Sequence, residues 1–254
     1  MTAQDLSTTH FNTSAATWDT NKKHVEGVEK AFEAITRHIP AFSNGTAKNL
    51  DVLEIGCGTG LLTFLLAPHV RSIIGIDTSP AMIDAFNTKI GALASPSSAN
   101  LAAITLQLHD ADDVHLQGAC AALAGRRGSP DPSNPAEPYR FDLVVSHLTL
   151  HHVPEMGALV QTLFGCLKHG GRIALTDYED FGPEAVRFHR REKRKVVERH
   201  GVKREEILDV IDGVGFNECR VETAFSLRKS VEDEEGKEGG EMEFPFWICL
   251  GEKS

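Results

Sequence analysis

The chain has 254 residues, of which 41% are hydrophobic, and its formal net charge at pH 7 is −10. One large α/β domain has this length, and this apolar share is enough to build its core. The acidic balance excludes a protein whose main task is to hold free nucleic acid, because such binding requires an excess of Lys and Arg. We therefore expect no nucleic-acid partner.

Cysteine spacing and hydrophobic runs indicate neither a secreted nor a membrane protein. The five cysteines are widely scattered and have no metal-ligand spacing, which indicates reduced thiols. The first ten residues lack the basic start and apolar stretch of a signal peptide, and no run of about 20 apolar residues occurs. The sequence predicts a cytoplasmic protein with no membrane partner, and it gives no indication of the oligomeric state.

Strand-like and helix-like segments alternate over the first two thirds of the chain. After a polar leader, an amphipathic helix carries Val28, Phe32 and Ile35 on one face and ends before Pro40. Apolar runs predict strands at 50–56, 71–77, 101–110, 140–148 and 172–178. Further helices are predicted over 60–69, from Pro80 behind a Ser79 cap, and from Met156 through Lys168 and His169 to a stop at Gly170 and Gly171. This order indicates an α/β fold with a doubly wound, mostly parallel sheet and helices on both faces.

The last third of the chain departs from this alternation. Nine Lys and Arg residues lie in 187–204, and a short helix at 204–216 precedes strands at 219–229 and 244–252. An acidic, glycine-containing loop at about 230–243 separates these strands and is expected to be mobile. Prolines and glycines at 125–139 predict a surface insertion.

The turn after the first strand carries the most specific motif, EIGCGTG, which begins at Glu54. A dinucleotide-binding turn has the spacing GxGxxG, whose third glycine lets helix and strand pack closely. Here the glycines are Gly56, Gly58 and Gly60, and Leu61 occupies the place of that third glycine. An acidic residue followed by GxGxG resembles the first motif of the class I S-adenosylmethionine-dependent methyltransferases, in particular the small-molecule branch similar to ubiquinone biosynthesis methyltransferases.

Further motifs follow in the order of that family, and the resemblance covers roughly residues 50–180. Asp77 ends the second strand about 20 residues on, where a carboxylate can accept hydrogen bonds from both ribose hydroxyls. HDADDV resembles the third motif, FDLVVSHLTLHHV the fourth-strand motif, and LKHGGRIALTDYE the motif leading into strand five. The resemblance implies a Rossmann-like, seven-stranded sheet with an antiparallel last strand, and S-adenosylmethionine as the cofactor.

The resemblance also implies a role for each matching residue. The glycines allow close approach to the methionine part, Glu54 is the partner of the ammonium group, and Cys57 is a small filler whose backbone matters. Asp110 and Ala111 are expected at the adenine, while Met82 either covers one adenine face or belongs to the core. The expected cofactor residues are Glu54, Gly56, Cys57, Gly58, Gly60, Asp77, Thr78, Met82, Asp110, Ala111, Ser146, His147 and Trp18.

The leader and the segment after strand five are expected to border this site. We expect an N-terminal arm and lid helix over 1–45, an S-adenosylmethionine-binding domain over 46–254, and a cap at about 179–204. Phe11 and Trp18 either close the site against water or anchor the arm on the core. The basic segment either binds an acidic substrate or is a solvated face with the acidic loop as its counter-charge, and the second interpretation is favoured.

Two histidines after the fourth strand are candidate catalytic residues. His151 or His152 can serve as a base if the acceptor must lose a proton, although transfer from a sulfonium depends mainly on positioning. The alternative is that both are ordinary packing or capping residues. His147 and His151 are four residues apart, as zinc ligands on a helix are, but the segment is predicted as strand and loop, and no third ligand is near. We therefore predict no metal.

The resulting prediction is a methyltransferase that moves a methyl group to a small-molecule acceptor by in-line displacement. A nicotinamide-dependent oxidoreductase would share the fold but needs a glycine at the position of Leu61. A non-catalytic, cofactor-binding regulatory partner is the third alternative, because a fold binds its ligand whether or not turnover follows. The sequence does not indicate which acceptor atom, oxygen, nitrogen, sulfur or carbon, receives the methyl group.

Overall fold

A computed structural model of the chain describes residues 3–93, 99–127, 138–234 and 236–254. Most of the insertion predicted at 125–139, and one residue of the acidic loop, lie outside the described residues. The strands are β1 (Asp51–Ile55), β2 (Ser72–Asp77), β3 (Leu101–Thr105), β4 (Phe141–His147), β5 (Leu167–Tyr178), β6 (Asn217–Val231) and β7 (Gly240–Glu252).

The seven strands form one sheet in the order β3-β2-β1-β4-β5-β7-β6. Strands β1 to β5 pair in parallel, and β7 runs antiparallel to both β5 and β6. The order reverses beside β1, so the carboxyl ends of β1, β2 and β4 meet at the crevice where doubly wound sheets bind ligands. The predicted seven-stranded, Rossmann-like sheet with an antiparallel last strand is confirmed.

Helices cover both faces of the sheet. The α-helices are α1 (Ala3–Ser14), α2 (Lys22–His38), α3 (Pro40–Ser43), α4 (Leu61–Leu66), α5 (Pro80–Ala92), α6 (Val114–Arg126), α7 (Met156–Cys166) and α8 (Arg204–Val214). Buried residues of α2 and α4 belong to the core on one face, and those of α6, α7 and α8 to the core on the other. Short 3-10 helices lie at Ala15–Thr20, Ala47–Asn49, Ala67–His69, Leu150–His152, Ala185–Phe188 and Arg191–Val196. No helix in the described ranges combines the length and the apolar character that a membrane span needs.

The segment after α7 differs from its prediction. Helix α7 ends at Cys166, and Lys168, His169 and the two glycines already belong to β5. Gly170 has a φ of +75°, and the register of β5 against β4 shifts across this segment. A Cβ on Gly171 would lie 3.0 Å from the carbonyl oxygen of Phe141, so the glycines permit a bulge in a strand and do not terminate the helix.

Helix α5 begins as predicted. Ser79 accepts a hydrogen bond from the Met82 amide at 3.2 Å, and Pro80 occupies the first turn, where its missing N–H costs nothing. The Ser79 amide in turn donates to the Asp77 carboxylate at 2.8 Å. The end of β2 and the start of α5 are thus held together at the crevice.

A glycine in β2 lets the turn after β1 lie directly on the sheet. A Cβ on Gly75 would meet Cys57 Sγ at 2.7 Å and the Phe86 ring at 3.1 Å. The amides of Gly56 and Cys57 both donate to the carbonyl oxygen of Ile76, at 2.8 and 3.1 Å. The turn is therefore fixed against the end of β2 by contacts that a larger side chain at position 75 would prevent.

Candidate functional site

The glycines of the EIGCGTG turn adopt left-handed backbone conformations. The φ angles of Gly56, Gly58 and Gly60 are +68°, +53° and +88°. Residues that have a Cβ rarely adopt this backbone conformation. A Cβ would lie 2.2 Å from the Thr149 hydroxyl oxygen if placed on Gly56, and 2.8 Å from the Phe86 ring if placed on Gly60. At Gly58 the nearest atom is Met82 Sδ at 4.0 Å, so a ligand can approach the backbone there.

Two carboxyl groups flank this turn. Glu54, at the end of β1, is buried and accepts a hydrogen bond from the Thr63 hydroxyl, and burial raises its pKa to about 8. Asp77, at the end of β2, accepts from the Gly58 amide at 2.9 Å, and burial also raises its pKa. An ammonium group beside Glu54 and hydroxyl donors beside Asp77 would satisfy these acceptors, which fits the expected cofactor.

The residues expected at the adenine lie at the start of α5 and in the turn after β3. Met82 is buried in the first turn of α5, with only 1% of its surface exposed, so it belongs to the core and also borders the crevice above Gly58. Thr78 is half-buried between β2 and α5. Asp110 is exposed, and its carboxylate accepts the Asp112 amide at 2.9 Å, while the half-buried Ala111 packs close to Gly165 of α7.

The end of β4 differs in one respect from the expectation. Ser146 and His147 both lie at the strand end, but the His147 ring stacks on Phe246 at 5.9 Å and bonds Thr176 Oγ1 at 2.9 Å. Burial lowers the pKa of His147 to about 4, so the ring is neutral. Leu148, the next residue, has a φ of +53°, which is strained backbone for a residue with a branched side chain. The Leu148 amide donates to the carbonyl oxygen of Thr176 at 2.9 Å, so the chain leaves β4 while still bonded to β5.

The N-terminal arm lies across the glycine turn. The Asp19 carboxylate accepts a hydrogen bond from the Thr59 hydroxyl at 2.5 Å and from Lys89 Nζ at 2.7 Å. The Asn12 side-chain oxygen accepts from the Ser79 hydroxyl at 2.8 Å. Asp19 therefore links the arm to the glycine turn and to α5, and Asn12 links it to the start of α5.

Further along, the same arm reaches the loop after β4. The Phe11 ring contacts Trp18 and His152 edge-on, with centroid distances of 5.5 and 5.1 Å, and Trp18 packs on His24 at 3.9 Å. Ser7 Oγ lies 3.2 Å from His152 Nδ1. Trp18 thus contacts other residues of the arm. The arm covers the space between the glycine turn and the segment Leu150–His152, which we call the histidine loop.

The histidine loop is ordered by one buried carboxylate. Asp177, at the end of β5, lies 2.8 Å from His151 Nδ1 and accepts the His151 and Tyr178 amides at 3.1 and 2.8 Å. Both side chains are buried, and His151 Nε2 is buried without a hydrogen-bond partner among the described residues. Burial lowers the pKa of His152 and of the neighbouring His189 well below the usual value. A base role for His151 or His152 stays a prediction.

Several residues of this region were missed by the sequence analysis. Asp177 could have been found as a polar residue at the end of a predicted strand, the position where ligands bind in such sheets. Asn12, Asp19 and Thr149 carry no such signal, because polar residues in a leader or loop are common. His189 lies in the predicted cap, and only the folded chain brings it beside His151, with ring centroids 5.3 Å apart.

Several arginines of the basic segment contact the acidic loop. Arg194 bonds Glu234, Arg190 lies 3.7 Å from Glu232, and Arg187 donates to the carbonyl oxygens of Glu232 and Glu238 at 3.1 and 2.8 Å. These contacts favour the interpretation of an internal counter-charge over that of an acidic-substrate site. A surface cavity of about 590 Å³ beside Arg199 and His200 contains none of the predicted site residues.

Comparison of sequences finds methyltransferases. The profile of a methyltransferase domain family matches residues 28–218. An uncharacterised methyltransferase of Schizosaccharomyces pombe is 29% identical over 130 residues, which are 50% of this chain and 38% of that protein. A ubiquinone biosynthesis O-methyltransferase of Bradyrhizobium diazoefficiens is 30% identical over 127 residues, 50% of this chain and 39% of that protein. The matched segments therefore span less than half the length of these curated relatives.

Comparison of structures finds the same fold in known proteins. The YcgJ protein from Bacillus subtilis has a TM-score of 0.60 at 14% identity, covering 88% of this chain and 97% of that one. Magnesium protoporphyrin IX methyltransferase from Synechocystis, solved with its bound demethylated cofactor, has a TM-score of 0.54 at 16% identity, covering 91% and 84%. At these identities the likeness concerns the fold alone.

Glu54 gives a testable prediction of proton release. With a pKa of about 8, the Glu54 carboxyl is mostly protonated in the free protein at pH 7. An ammonium group bound beside it favours the ionised form, so binding of S-adenosylhomocysteine should release up to about one proton. Calorimetric titrations at pH 7 in two buffers of different ionisation enthalpy measure this release. We expect it to disappear in Glu54→Gln, and an unchanged buffer dependence in that variant would contradict the assignment.

Asp19 gives a second prediction, about closure of the arm. Asp19→Ala removes the bonds to Thr59 and Lys89, each a contribution of about 0.5–1.5 kcal/mol. Together these amount to about 1–3 kcal/mol, so we expect S-adenosylhomocysteine to dissociate roughly 5- to 150-fold faster, as measured by stopped-flow displacement. Thr17→Ala, in the same 3-10 helix, removes only a local bond to Ser14 and should leave the rate unchanged. Equal rates for both variants would show that the arm does not hold the ligand.

Proposed function

The chain belongs to the S-adenosylmethionine-dependent methyltransferases, and we propose that it transfers the methyl group to a small-molecule acceptor by in-line displacement. The observation that carries the choice of acceptor is the closed arm. It bonds the glycine turn through Asp19 and Thr59 and reaches the histidine loop through Ser7 and His152. A substrate beneath such a cover must be small enough to be enclosed, whereas a folded macromolecule needs an open groove.

The cofactor residues are assigned within this proposal from the contacts at the turn. The backbone at Gly58 receives the methionine part, because the space above it is open, and Gly56 allows the turn to pack against Thr149 beside it. Glu54 binds the ammonium group and Asp77 the ribose hydroxyls, because both are largely buried carboxyl groups at the ends of β1 and β2. Asp110, with the backbone at Ala111, Met82 and Thr78, borders the adenine, and Cys57 contributes its backbone.

Enclosure supplies the catalysis that this reaction needs. The acceptor's lone pair forms a bond to the methyl carbon while the carbon–sulfur bond breaks, so the products are the methylated acceptor and S-adenosylhomocysteine. The thioether that the sulfonium releases is already a good leaving group. Alignment of the two reactants and exclusion of water therefore account for most of the rate. Phe11 and Trp18 form the apolar side of the cover, and Ser146 lies buried at the strand end beside the crevice.

The relatives leave the acceptor atom open. Their names include ubiquinone biosynthesis and malonyl-acyl carrier protein O-methyltransferases and a phosphoethanolamine N-methyltransferase, which act on oxygen and on nitrogen. The matched segments cover about half of this chain, so they do not extend over all the residues that enclose an acceptor. The proposal therefore concerns the size of the acceptor and does not specify the atom that is methylated.

Asp77→Ala tests the cofactor assignment. Loss of a buried carboxylate that accepts charge-assisted hydrogen bonds costs about 1.5–3 kcal/mol per bond, so we expect S-adenosylhomocysteine to bind roughly 10- to 100-fold more weakly. Isothermal titration calorimetry measures the change. The control is Asp84→Ala, which changes an exposed aspartate on α5, the helix that follows Asp77, and should bind like the unaltered protein. Equal affinity in both variants would refute the role of Asp77.

A labelled-cofactor experiment tests the size of the acceptor. The protein is incubated with methyl-labelled S-adenosylmethionine and either the small-molecule fraction or the macromolecular fraction of a cell extract. We expect label to enter the small-molecule fraction, and Asp77→Ala to serve as the inactive control. Label that enters only proteins or nucleic acids would contradict the proposal.

A further inference from the structure

Three histidines from two distant parts of the chain meet beneath the arm. His151 and His152 lie in the 3-10 helix after β4, and His189 follows the 3-10 helix Ala185–Phe188. One ring nitrogen from each residue lies within 4.8 Å of those of the other two. Three imidazoles bound to one zinc ion at about 2.0–2.1 Å would hold their nitrogens roughly 3.4 Å apart. The ring nitrogens are therefore at most about 1.5 Å farther apart than the nitrogens of three histidines around a bound zinc ion.

Each imidazole is oriented by a partner at Nδ1, as the rings of metal-bound histidines are. His151 Nδ1 lies 2.8 Å from the Asp177 carboxylate, and His152 Nδ1 lies 3.1 Å from the carbonyl oxygen of Val196. His189 Nδ1 lies 3.4 Å from the Tyr178 hydroxyl. These contacts engage Nδ1 in all three rings, so Nε2 is the ring nitrogen that each histidine has available for a ligand. The pair of His151 and Asp177 has the carboxylate–histidine arrangement typical of zinc sites.

One atom of the cluster lacks a partner. His151 Nε2 is buried and has no hydrogen bond to any described residue. A buried polar atom left unpaired costs about 1–3 kcal/mol, so native structures rarely leave one without a function or a ligand. A cation bound by this nitrogen would satisfy it. The geometry therefore points to a ligand that sits between the three rings.

We propose that His151, His152 and His189 form a mononuclear site for a divalent transition metal, with Zn²⁺ as the best fit. Imidazole nitrogens select zinc and its neighbours over Mg²⁺ and Ca²⁺, which prefer oxygen ligands. Three protein ligands leave a fourth position for water or for a donor atom of a bound molecule. The site goes beyond the proposed methyl transfer, because metal binding requires neither the cofactor nor the acceptor.

The sequence analysis predicted no metal, because the third ligand of this site is distant along the chain. The histidine pair weighed there was His147 with His151, yet the His147 ring lies against Phe246 and Phe225, with centroid distances of 5.9 and 6.3 Å. Folding instead brings His189 to His151 through the stacking of Tyr178 on Phe188, with centroids 4.1 Å apart.

Metal titration of the purified, untagged and chelator-treated protein tests the proposal. We expect one Zn²⁺ per chain by calorimetry, and Co²⁺ in its place should give the visible absorption of a four-coordinate ion. Asp177→Asn keeps all three ligands but weakens the support of His151, and should lower metal affinity roughly 10- to 100-fold. His189→Ala and His189→Gln remove a ligand and should lower it further.

Two controls separate this proposal from the function proposed above. His115→Ala removes an exposed histidine at the start of α6 and should leave metal affinity unchanged. Binding of S-adenosylhomocysteine should persist in every histidine variant, which also shows that the variants are folded. Absence of Zn²⁺ and Co²⁺ binding by the unaltered protein, or His189 variants that bind Zn²⁺ as tightly as the unaltered protein, would overturn the metal site. Either result would leave the methyltransferase assignment intact.

Discussion

The close approach of the glycine turn to its surroundings is the constraint on which the rest of the site depends. Gly75 in β2 leaves room for Cys57, Gly56 leaves room for Thr149, and Gly60 leaves room for the Phe86 ring. Contact at these three places fixes the turn against β2, against the loop after β4 and against α5. The ends of three elements therefore share one rigid junction, and the carboxyl groups of Glu54 and Asp77 receive fixed positions on either side of it.

That junction also explains why the two carboxyl groups remain largely buried. A buried carboxylate without a counter-charge is costly, and burial accordingly raises the pKa of both groups. The protein bears this cost at a site where a bound cation and hydroxyl donors can offset it. The family match then decides between the two enzyme classes that share such a crevice, in agreement with Leu61 standing where a nicotinamide enzyme would need glycine.

The sequence predicted the order of the strands and the turn because each rests on local chemistry, although β3 ends at Thr105 and not at position 110 as predicted. Apolar runs, the left-handed glycines and the Ser79 cap act within a few residues, and the structure has all of them. The sequence analysis missed α6 because its residues are small and mostly apolar, and it missed α1 because its residues are mostly polar. Neither helix therefore shows an apolar stripe opposite a polar face. The stop of α7 was misplaced because Gly170 and Gly171 serve a strand bulge, which only pairing with β4 reveals. His189 and Asp19 join the site through tertiary contacts that no local pattern encodes.

The antiparallel strands β6 and β7 have a consequence for how this chain can diversify. Their connection holds the segment after β5 through Arg187, which donates to two carbonyl oxygens of the loop, and through the bond of Arg194 to Glu234. These anchors are separate in sequence and space from the contacts that fix the glycine turn. This segment brings His189 beside His151, so substitutions in it can alter the histidine side of the crevice while the side formed by the glycine turn keeps its geometry. Selection for a new substrate and preservation of an old cofactor act on different parts of the same sheet.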